Sequence, residues 1–204
     1  MYIAVAGNIG SGKTTLSDLV VKHYGYTAVS DQTEDNPYIV NFYNDMRRWA
    51  FNLQVYFLQR RYTHLMESWK KYKNIVQDRT IYEDAFIFAP NLHSMGLLST
   101  TDYETYISLF NLLNSLTPAP DLLVYLKASV PTLINLITKR GRIYESSIRL
   151  DYITSLNQRY DDWFESYKGR KIVVDVDNLN IIESPEALGE VFEKINAELN
   201  PLFK

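Results

Sequence analysis

The feature that most constrains this chain is the sequence GNIGSGKT at residues 7–14, which fits the pattern G-x-x-x-x-G-K-[ST]. An apolar run at residues 1–6 precedes it and predicts a buried strand, and apolar residues at helical spacing follow it. Glycines let the backbone N–H groups of such a loop face phosphate oxygens, and the next helix points its positive end at them. Lys13 is expected to reach the β- and γ-phosphates and Thr14 to bind Mg²⁺. The segment therefore predicts a site for a nucleoside triphosphate with Mg²⁺.

Beyond this loop, short apolar runs alternate with longer helical patterns. Further strands are predicted at residues 26–30, 74–77, 121–126 and 171–176. Helices are predicted at residues 14–24, 39–72, 82–95, 101–116, 131–139, 148–167 and 185–199. Strands that alternate with helices form parallel sheets with helices on both faces. We therefore expect an α/β three-layer fold with a parallel five-stranded sheet, in a single domain over residues 1–204.

Composition excludes several classes of function. Lys and Arg number 21 and Asp and Glu 24, and this net charge of −3 gives no general reason to bind nucleic acid. The chain has no cysteine, which excludes a disulfide framework, a thiolate metal site and a cysteine nucleophile. No run of about 18 apolar residues predicts a membrane span, and no basic segment precedes the apolar N-terminus to suggest a signal peptide. A cytoplasmic protein is expected.

The phosphate loop alone does not distinguish kinases from GTPases or motors. The dipeptide Asn-Lys, which a guanine-reading Asn-Lys-x-Asp segment needs, does not occur, and a motor of 204 residues would be unusual. Asp78 and Arg79 follow a predicted strand, where ligands bind in open α/β sheets, so they suit Mg²⁺ and phosphoryl charge. The alternative is a surface ion pair. A small-molecule kinase is the class that fits best.

A basic segment, KRGR at residues 139–142, places three cations around one glycine. A mobile basic loop suits phosphoryl transfer, because charge spreads over the transferred oxygens and water must be excluded. The alternative is a solvated helix C-terminus, where cations are favoured by the helix dipole. We expect a small basic lid at about residues 139–146.

Taken together, five segments resemble the deoxynucleoside kinase family, which contains deoxyadenosine, deoxyguanosine and deoxycytidine kinases. The resemblance covers residues 1 to about 165. The segments are GNIGSGKTT at 7–15, DNPY at 35–38 with Phe42 and Tyr43, NLQ at 52–54, DRTIYED at 78–84 with Phe88, and KRGR at 139–142 with Glu145. The resemblance implies a P-loop kinase fold, transfer of the ATP γ-phosphoryl to the 5′-hydroxyl of a deoxyribonucleoside, and Mg²⁺ as a cofactor. It also implies a homodimer packed through helices such as residues 42–70, with neither polymeric nucleic acid nor a membrane as partner.

The same resemblance implies roles for individual residues. Contacts to ATP are expected from Gly7, Asn8, Ile9, Gly10, Ser11, Gly12, Lys13, Thr14 and Thr15, and Mg²⁺ ligands are expected to be Thr14 and Asp78. The residues expected to bind the substrate are Asp31, Tyr43, Gln54, Arg61, Arg79, Asp84, Phe88 and Glu145. Catalysis is assigned to Asp31, Asp78, Arg79, Lys13, Arg140 and Arg142.

The substrate-binding roles fit the chemistry of each side chain. The amide of Gln54 can donate and accept together along the edge of a base, and the ring of Phe88 can stack on it. Tyr43 and Glu145 match the pair that holds the sugar 3′-hydroxyl, and Arg79 matches the arginine near the 5′-hydroxyl. Arg61 and Asp84 match a pair at the far edge of the base, where a carboxylate accepts from an exocyclic amine. Purine deoxynucleosides and deoxycytidine are therefore favoured and thymidine is disfavoured.

The chain departs from the family at two positions. The general base is usually a glutamate followed by Pro-Val, whereas here Asp31 is followed by Gln-Thr. We expect Asp31 to be the base rather than the neighbouring Glu34, since reach to the 5′-hydroxyl decides first. Leu136 stands where some members have a further lid arginine. Two alternatives stay open: a kinase acting on a nucleoside monophosphate or a metabolite, and a nucleotide-binding regulator without turnover.

Overall fold

A parallel sheet forms the centre of the protein. The computed structural model describes residues 1–31, 35–178 and 184–199. The strands are β1 (Tyr2–Gly7), β2 (Thr27–Val29), β3 (Ile75–Asp78), β4 (Leu122–Lys127) and β5 (Lys171–Asp175). They lie in the order β2-β3-β1-β4-β5, and each neighbouring pair is parallel. This confirms the predicted five-stranded parallel sheet.

Helices connect the strands and cover both faces of the sheet. They are α1 (Lys13–Tyr24), α2 (Ile39–Asn44), α3 (Met46–Lys71), α4 (Ile81–Glu83), α5 (Ala89–Ser94), α6 (Thr100–Asn114), α7 (Val130–Arg140), α8 (Leu150–Ser166) and α9 (Pro185–Leu199). A π-helical segment, Asp84–Phe88, joins α4 to α5, and a 3₁₀ helix, Ile143–Ser147, precedes α8. None of the helices in the described ranges is both long enough and apolar enough to span a membrane.

The alternation of side chains along β1 divides the core in two. Tyr2, Ala4 and Ala6 belong to a cluster with buried residues of α3, α6 and α8, whereas Ile3 and Val5 belong to a cluster with α1 and α9. Successive residues of a strand point to opposite faces, so a strand covered on both sides is buried throughout. All six residues of β1 are buried. The central strand therefore carries the phosphate loop out of the buried core of the molecule.

The predicted helix at residues 39–72 is in fact two helices. Asp45 has a non-helical backbone (φ −147°, ψ 83°), and its side chain accepts a hydrogen bond from the backbone N–H of Arg48. That contact is an N-cap, which satisfies one of the free donors at the start of α3. The apolar periodicity continues across this break, so the sequence pattern did not indicate it. The predicted helix at 82–95 likewise contains the π-helical segment.

Candidate active site

A cavity opens at the carboxyl ends of β1 and β3, beside the phosphate loop. It encloses about 740 Å³ of space, counting its open mouth. Its lining contains every residue predicted for catalysis or substrate binding: Lys13, Asp31, Tyr43, Gln54, Arg61, Asp78, Arg79, Asp84, Phe88, Arg140, Arg142 and Glu145. The alternative base, Glu34, lies outside the described residues. Residues that are more than 100 positions apart in sequence therefore meet around one space.

The phosphate loop closes one end of this cavity. Ile9, Gly10, Lys13 and Thr14 belong to the lining, whereas Gly7, Asn8, Ser11, Gly12 and Thr15 do not. Gly10 has a left-handed backbone (φ 87°), and a Cβ there would lie 2.6 Å from Cγ1 of Ile137 on α7. Only glycine fits that conformation and that close approach. The loop is thus held against the helix that leads into the basic segment.

Lys13 is a buried cation at the start of α1. Its ammonium group donates to the backbone carbonyl of Asn8 over 2.8 Å. Burial lowers the pKa of Lys13 from its usual 10.5 to about 7, and Arg79 adds to the effect, while the carboxylates of Asp78, Glu83 and Asp31 oppose it. Burial removes water from the ammonium group and so disfavours its charged form. A bound anion such as a phosphate would stabilise that charged form again.

Thr14 and Asp78 meet across the loop. The hydroxyl of Thr14 donates to Oδ2 of Asp78 over 2.6 Å. The second oxygen, Oδ1, is buried and accepts no hydrogen bond from any residue within the described ranges. Burial raises the pKa of Asp78, although Lys13 and the Thr14 contact work against it. A hydroxyl and a carboxylate oxygen are ligands that Mg²⁺ accepts beside substrate phosphates, so this pair fits a Mg²⁺ site.

Three charged side chains form a chain across the middle of the cavity. One guanidinium nitrogen of Arg61 donates to both oxygens of Asp31, and another contacts Asp84. Burial would lower the pKa of Arg61, but the carboxylates of Asp31 and Asp84 outweigh it and raise the pKa. Burial raises the pKa of Asp84 to about 6, against the opposing effect of Arg61. The cation therefore ties the expected base, Asp31, to the carboxylate expected at the edge of the nucleobase.

Arg79 lies on the other side of Asp31. Its Nε is 3.5 Å from Oδ2 of Asp31, and its guanidinium group lies 4.6 Å above the ring of Phe88. Its backbone is left-handed (φ 66°), the one non-glycine case within the described ranges. Such a conformation costs energy in a bulky residue and recurs at functional sites. Asp31 is thus held between two arginines, at the entrance to the phosphate loop.

Gln54 and Phe88 flank the inner part of the cavity. Gln54 lies on α3 and is 2 % exposed, yet its Oε1 accepts no hydrogen bond from the part of the chain that the structure describes. Oδ2 of Asp84 is also buried and accepts no hydrogen bond from any of the described residues. Buried polar atoms are nearly always paired, so free ones in a cavity wall indicate that a ligand or water pairs with them. These two acceptors and one aromatic ring suit a heteroaromatic base with N–H donors.

The basic segment contributes two arginines, Arg140 and Arg142, to the lining of the cavity. Helix α7 ends at Arg140 and is capped by Gly141, which has a left-handed backbone (φ 70°), and the 3₁₀ helix follows. Arg140 donates to both oxygens of Glu145, with Nη2 at 2.6 and 2.7 Å, and Nη1 of Arg142 lies 3.7 Å from Glu145. The ring of Tyr43 stacks on that of Tyr144 at 5.9 Å. The expected lid arginines and the expected sugar ligand are therefore in direct contact.

The sequence analysis missed several residues of the site. Five further side chains complete the cavity wall: Ile39, Phe42, Leu53, Phe57 and Tyr152. Phe42 and Leu53 lie in the segments that carry the family resemblance but were given no role, and the other three gave no signal that separated them from ordinary core residues. Glu83 was also missed, although it is fully buried behind Arg79. The spacing Thr80-x-x-Glu83, a capping box at the start of a helix, is the signal that would have identified it.

Comparisons with known proteins agree with this geometry. The sequence model of the family described as "Deoxynucleoside kinase" matches residues 3–200. The deoxyadenosine/deoxycytidine kinase of Bacillus subtilis (strain 168) is 32% identical over 196 residues, which cover 95% of this chain and 90% of that protein. The deoxyguanosine kinase of the same strain is 36% identical over 164 residues, which cover 78% and 76%.

Solved structures give the same result. The structure of deoxyadenosine kinase from M. mycoides with bound dCTP superposes with a TM-score of 0.85 at 32% identity, covering 97% of this chain and 100% of that one. The structure of that enzyme with the products dCMP and a flexible dCDP superposes with a TM-score of 0.87 at 33% identity and the same coverage.

Proposed function

Because the chain belongs to the deoxynucleoside kinase family, we propose that it transfers the γ-phosphoryl group of ATP to the 5′-hydroxyl of a deoxyribonucleoside. The observation that supports this proposal best is the single cavity that runs from Lys13 of the phosphate loop to Gln54 and Phe88. Such a cavity can hold a phosphate at one end and a base at the other, with a sugar between them.

In the proposed reaction, the 5′-oxygen forms a bond to the γ-phosphorus while the bond from phosphorus to the bridging oxygen breaks. The hydroxyl proton passes to Asp31, and ADP leaves. Four cations of the lining face the oxygens of the transferred group and stabilise their charge: Lys13, Arg79, Arg140 and Arg142. The proposed lid at residues 139–146 would exclude water and so limit hydrolysis of ATP.

Thr14 and Asp78 are the proposed Mg²⁺ ligands. Mg²⁺ is usually bound by one or two protein oxygens together with substrate phosphates, and it neutralises phosphate charge when bound. The buried Oδ1 of Asp78, which has no partner among residues 1–31, 35–178 and 184–199, supports this assignment. The hydrogen bond between Thr14 and Asp78 fixes both side chains in the orientation the site needs.

The proposed substrate is a purine deoxynucleoside, deoxycytidine, or both. Gln54 would pair with the base and Phe88 would stack on it, while Tyr43 and Glu145 would hold the 3′-hydroxyl. The Asp84 carboxylate can accept from an exocyclic amine, whereas thymine presents a methyl group and a carbonyl there. The names of the relatives, which include deoxyadenosine, deoxyguanosine and deoxyadenosine/deoxycytidine kinases, support the same substrate class.

A nucleoside monophosphate is less well suited as the acceptor. Its phosphate would need an arginine or lysine near the sugar end of the cavity. Four arginines of α3 are candidates for that role, Arg47, Arg48, Arg60 and Arg61, and of these only Arg61 lines the cavity, where it is bound to Asp31 and Asp84. Arg47, Arg48 and Arg60 do not belong to the lining. The arginines of α3 therefore give no support to a phosphate-bearing acceptor, and the substrate panel compares a nucleoside with its monophosphate directly.

We also propose that the protein is a cytoplasmic homodimer that folds as one domain over residues 1–204. Large apolar side chains are exposed on neighbouring helices, and they support an interface there: Trp69 on α3, Phe86 in the π-helical segment, and Leu112 on α6. The proposed use of ATP as phosphate donor supports the cytoplasmic location. Sedimentation velocity at micromolar concentration tests the dimer directly.

A substrate panel tests the proposed function. ADP release should be measured with ATP, Mg²⁺ and each of deoxyadenosine, deoxyguanosine, deoxycytidine, thymidine and deoxyadenosine monophosphate. We expect turnover with at least one of the first three and much less with thymidine or the monophosphate. Turnover only with the monophosphate would favour a different kinase. No ADP release with any of the first three would defeat the proposal, and ATP binding without turnover would favour a regulator.

A further inference from the structure

Behind the cavity wall lies one buried carboxylate that the proposed reaction does not use. Glu83 ends the short helix α4, directly after the turn that carries Arg79, and it is 0 % exposed. It does not belong to the cavity lining. A buried carboxylate without hydrogen bonds or cations is strongly disfavoured, so its partners reveal what it does.

The partners of Glu83 come from three different parts of the fold. Its Oε2 accepts from the backbone N–H of Thr80 over 2.8 Å. Its Oε1 accepts from the hydroxyl of Tyr160 on α8 over 2.9 Å, and from the backbone N–H of Gly7 over 3.4 Å. One carboxylate therefore connects the turn after β3, helix α8 and the first residue of the phosphate loop.

Arg79 closes this arrangement into a ring. Its Nη1 donates to the hydroxyl of Tyr160 over 3.2 Å, and its Nη2 donates to the carbonyl of Gly7 over 3.3 Å. Gly7 is thus held on both sides, with its N–H on Glu83 and its C=O on Arg79. Burial raises the pKa of Glu83, while Arg79 and Lys13 lower it. The positive charges of Arg79 and Lys13 thus oppose the effect of burial on this carboxylate.

We propose that Glu83 and Tyr160 are positioning residues that act through Arg79 and Gly7, fixing the arginine beside Asp31 and the first peptide of the phosphate loop in one geometry. The Tyr160 hydroxyl accepts a hydrogen bond from Arg79 and donates one to Glu83. It therefore links the orientation of the guanidinium group to that of the carboxylate. The strained backbone of Arg79 is held by the same contacts. This inference rests on the proposed function, in which Arg79 stabilises the transferred phosphoryl group.

The test compares two tyrosine-to-phenylalanine variants. Tyr160→Phe removes the hydroxyl that links Arg79 to Glu83 and keeps the ring in the core. Tyr125→Phe is the matched control, because Tyr125 is equally buried, stacks on Tyr160 and donates to a carboxylate, Asp161, that is outside the ring of contacts. Glu83→Gln keeps the shape of the side chain and removes its charge.

Steady-state kinetics with ATP and the best deoxynucleoside should separate positioning from stability. We expect kcat of Tyr160→Phe to fall about tenfold below that of Tyr125→Phe, since a hydrogen bond to a charged group is lost, with both KM values within about twofold. Glu83→Gln should likewise lower kcat and leave both KM values within about twofold of wild type. Equal kcat values for the two tyrosine variants, or a loss confined to KM, would overturn the inference.

The result that would overturn only this inference differs from the result that would overturn the proposed function. If Glu83→Gln does not fold, Tyr160→Phe decides alone, since it buries no new polar group. A wild-type protein without turnover on any deoxynucleoside overturns the proposed function and this inference with it. An active wild type with an unaffected Tyr160→Phe variant overturns only the inference.

Discussion

One nitrogen of the Arg61 guanidinium group donates to both carboxylate oxygens of Asp31, at 2.9 and 3.0 Å. Arg79 approaches the same carboxylate from a second side at 3.5 Å. Aspartate is one methylene shorter than the glutamate that the family usually has at this position. The two arginines therefore fix the orientation of a carboxylate whose side chain is shorter than that of the expected glutamate.

The first prediction concerns the proposed base. Asp31→Asn should lower kcat by about 10²- to 10⁴-fold, the usual contribution of a general base, with little change in KM for ATP. The matched control is Asp35→Asn, since Asp35 is an exposed aspartate of the same connection between β2 and α2. Coupled ADP release measures both variants. Wild-type kcat in Asp31→Asn would exclude this residue as the base.

The second prediction concerns recognition of the base. Gln54→Leu should raise KM for the deoxynucleoside by about 10- to 100-fold, because the paired hydrogen bonds to the base are lost, and leave KM for ATP unchanged. The free energy of unfolding should not fall, because the variant removes a buried acceptor that has no partner in the described part of the chain. Gln59→Leu, an exposed glutamine of the same helix, is the control. Equal KM values in the two variants would remove Gln54 from the substrate site.

The architecture was predictable because each of its signals is local. Apolar runs such as residues 1–6 and 121–126 correspond to β1 and β4 within one or two residues, and the glycine-rich loop between β1 and α1 was placed correctly. The break at Asp45 was missed, since the apolar stripe of α2 continues into α3 and only the N-cap contact separates them. The sequence pattern of residues 82–95 also gave no sign of the π-helical segment.

The candidate site was predictable in its members but not in their pairings. Resemblance to the family named Arg140 and Glu145 separately, one for the phosphate and one for the sugar, whereas the structure joins them. Arg61 was expected beside Asp84, and its second partner, Asp31, was not foreseen. Such contacts depend on how α3 and the loop after β2 pack together, which no local pattern records. Glu83 was overlooked for a different reason, since its capping-box spacing with Thr80 is a local signal that was not used.

The third prediction concerns recognition of the sugar 3′-hydroxyl by Glu145 of the proposed lid. Glu145→Gln should abolish the preference for a 2′-deoxynucleoside over its 2′,3′-dideoxy analogue, because Glu145 is the proposed ligand of the 3′-hydroxyl. We expect wild type to prefer the natural sugar by about tenfold or more in kcat/KM. The free energy of unfolding should change by less than about 1 kcal/mol, because the side chain of its partner Arg140 is 36% exposed. Glu104→Gln, on the exposed side of α6, should behave as wild type. An unchanged preference in Glu145→Gln would assign the 3′-hydroxyl to another residue.

The fourth prediction concerns the buried ammonium of Lys13. Burial lowers its pKa in the folded protein from 10.5 to about 7, while the unfolded chain keeps the proton up to about pH 10.5. Between these values the unfolded state binds more protons than the folded state, so this residue makes the free energy of unfolding rise with pH. Its destabilising effect is largest below pH 7. Lys13→Met should therefore have a larger free energy of unfolding than the wild type at pH 7. The difference between the two free energies of unfolding should be smaller by about 2 kcal/mol at pH 9.

Urea unfolding at pH 7, 8 and 9 measures the free energy of unfolding of the wild type and of Lys13→Met. Lys22→Met is the matched reference, because Lys22 lies exposed near the end of the same helix and its loss changes the net charge equally. Comparing the two methionine variants cancels the contribution of the titrating groups that do not interact with Lys13, and leaves that of Lys13 together with its neighbours Asp78 and Glu83. A difference that stays constant from pH 7 to pH 9 would mean that Lys13 holds its proton in the folded state throughout. The cluster of Asp31, Asp78 and Glu83 would then stabilise the ammonium more strongly than burial disfavours it, and the site would be charged for phosphate binding over the whole range.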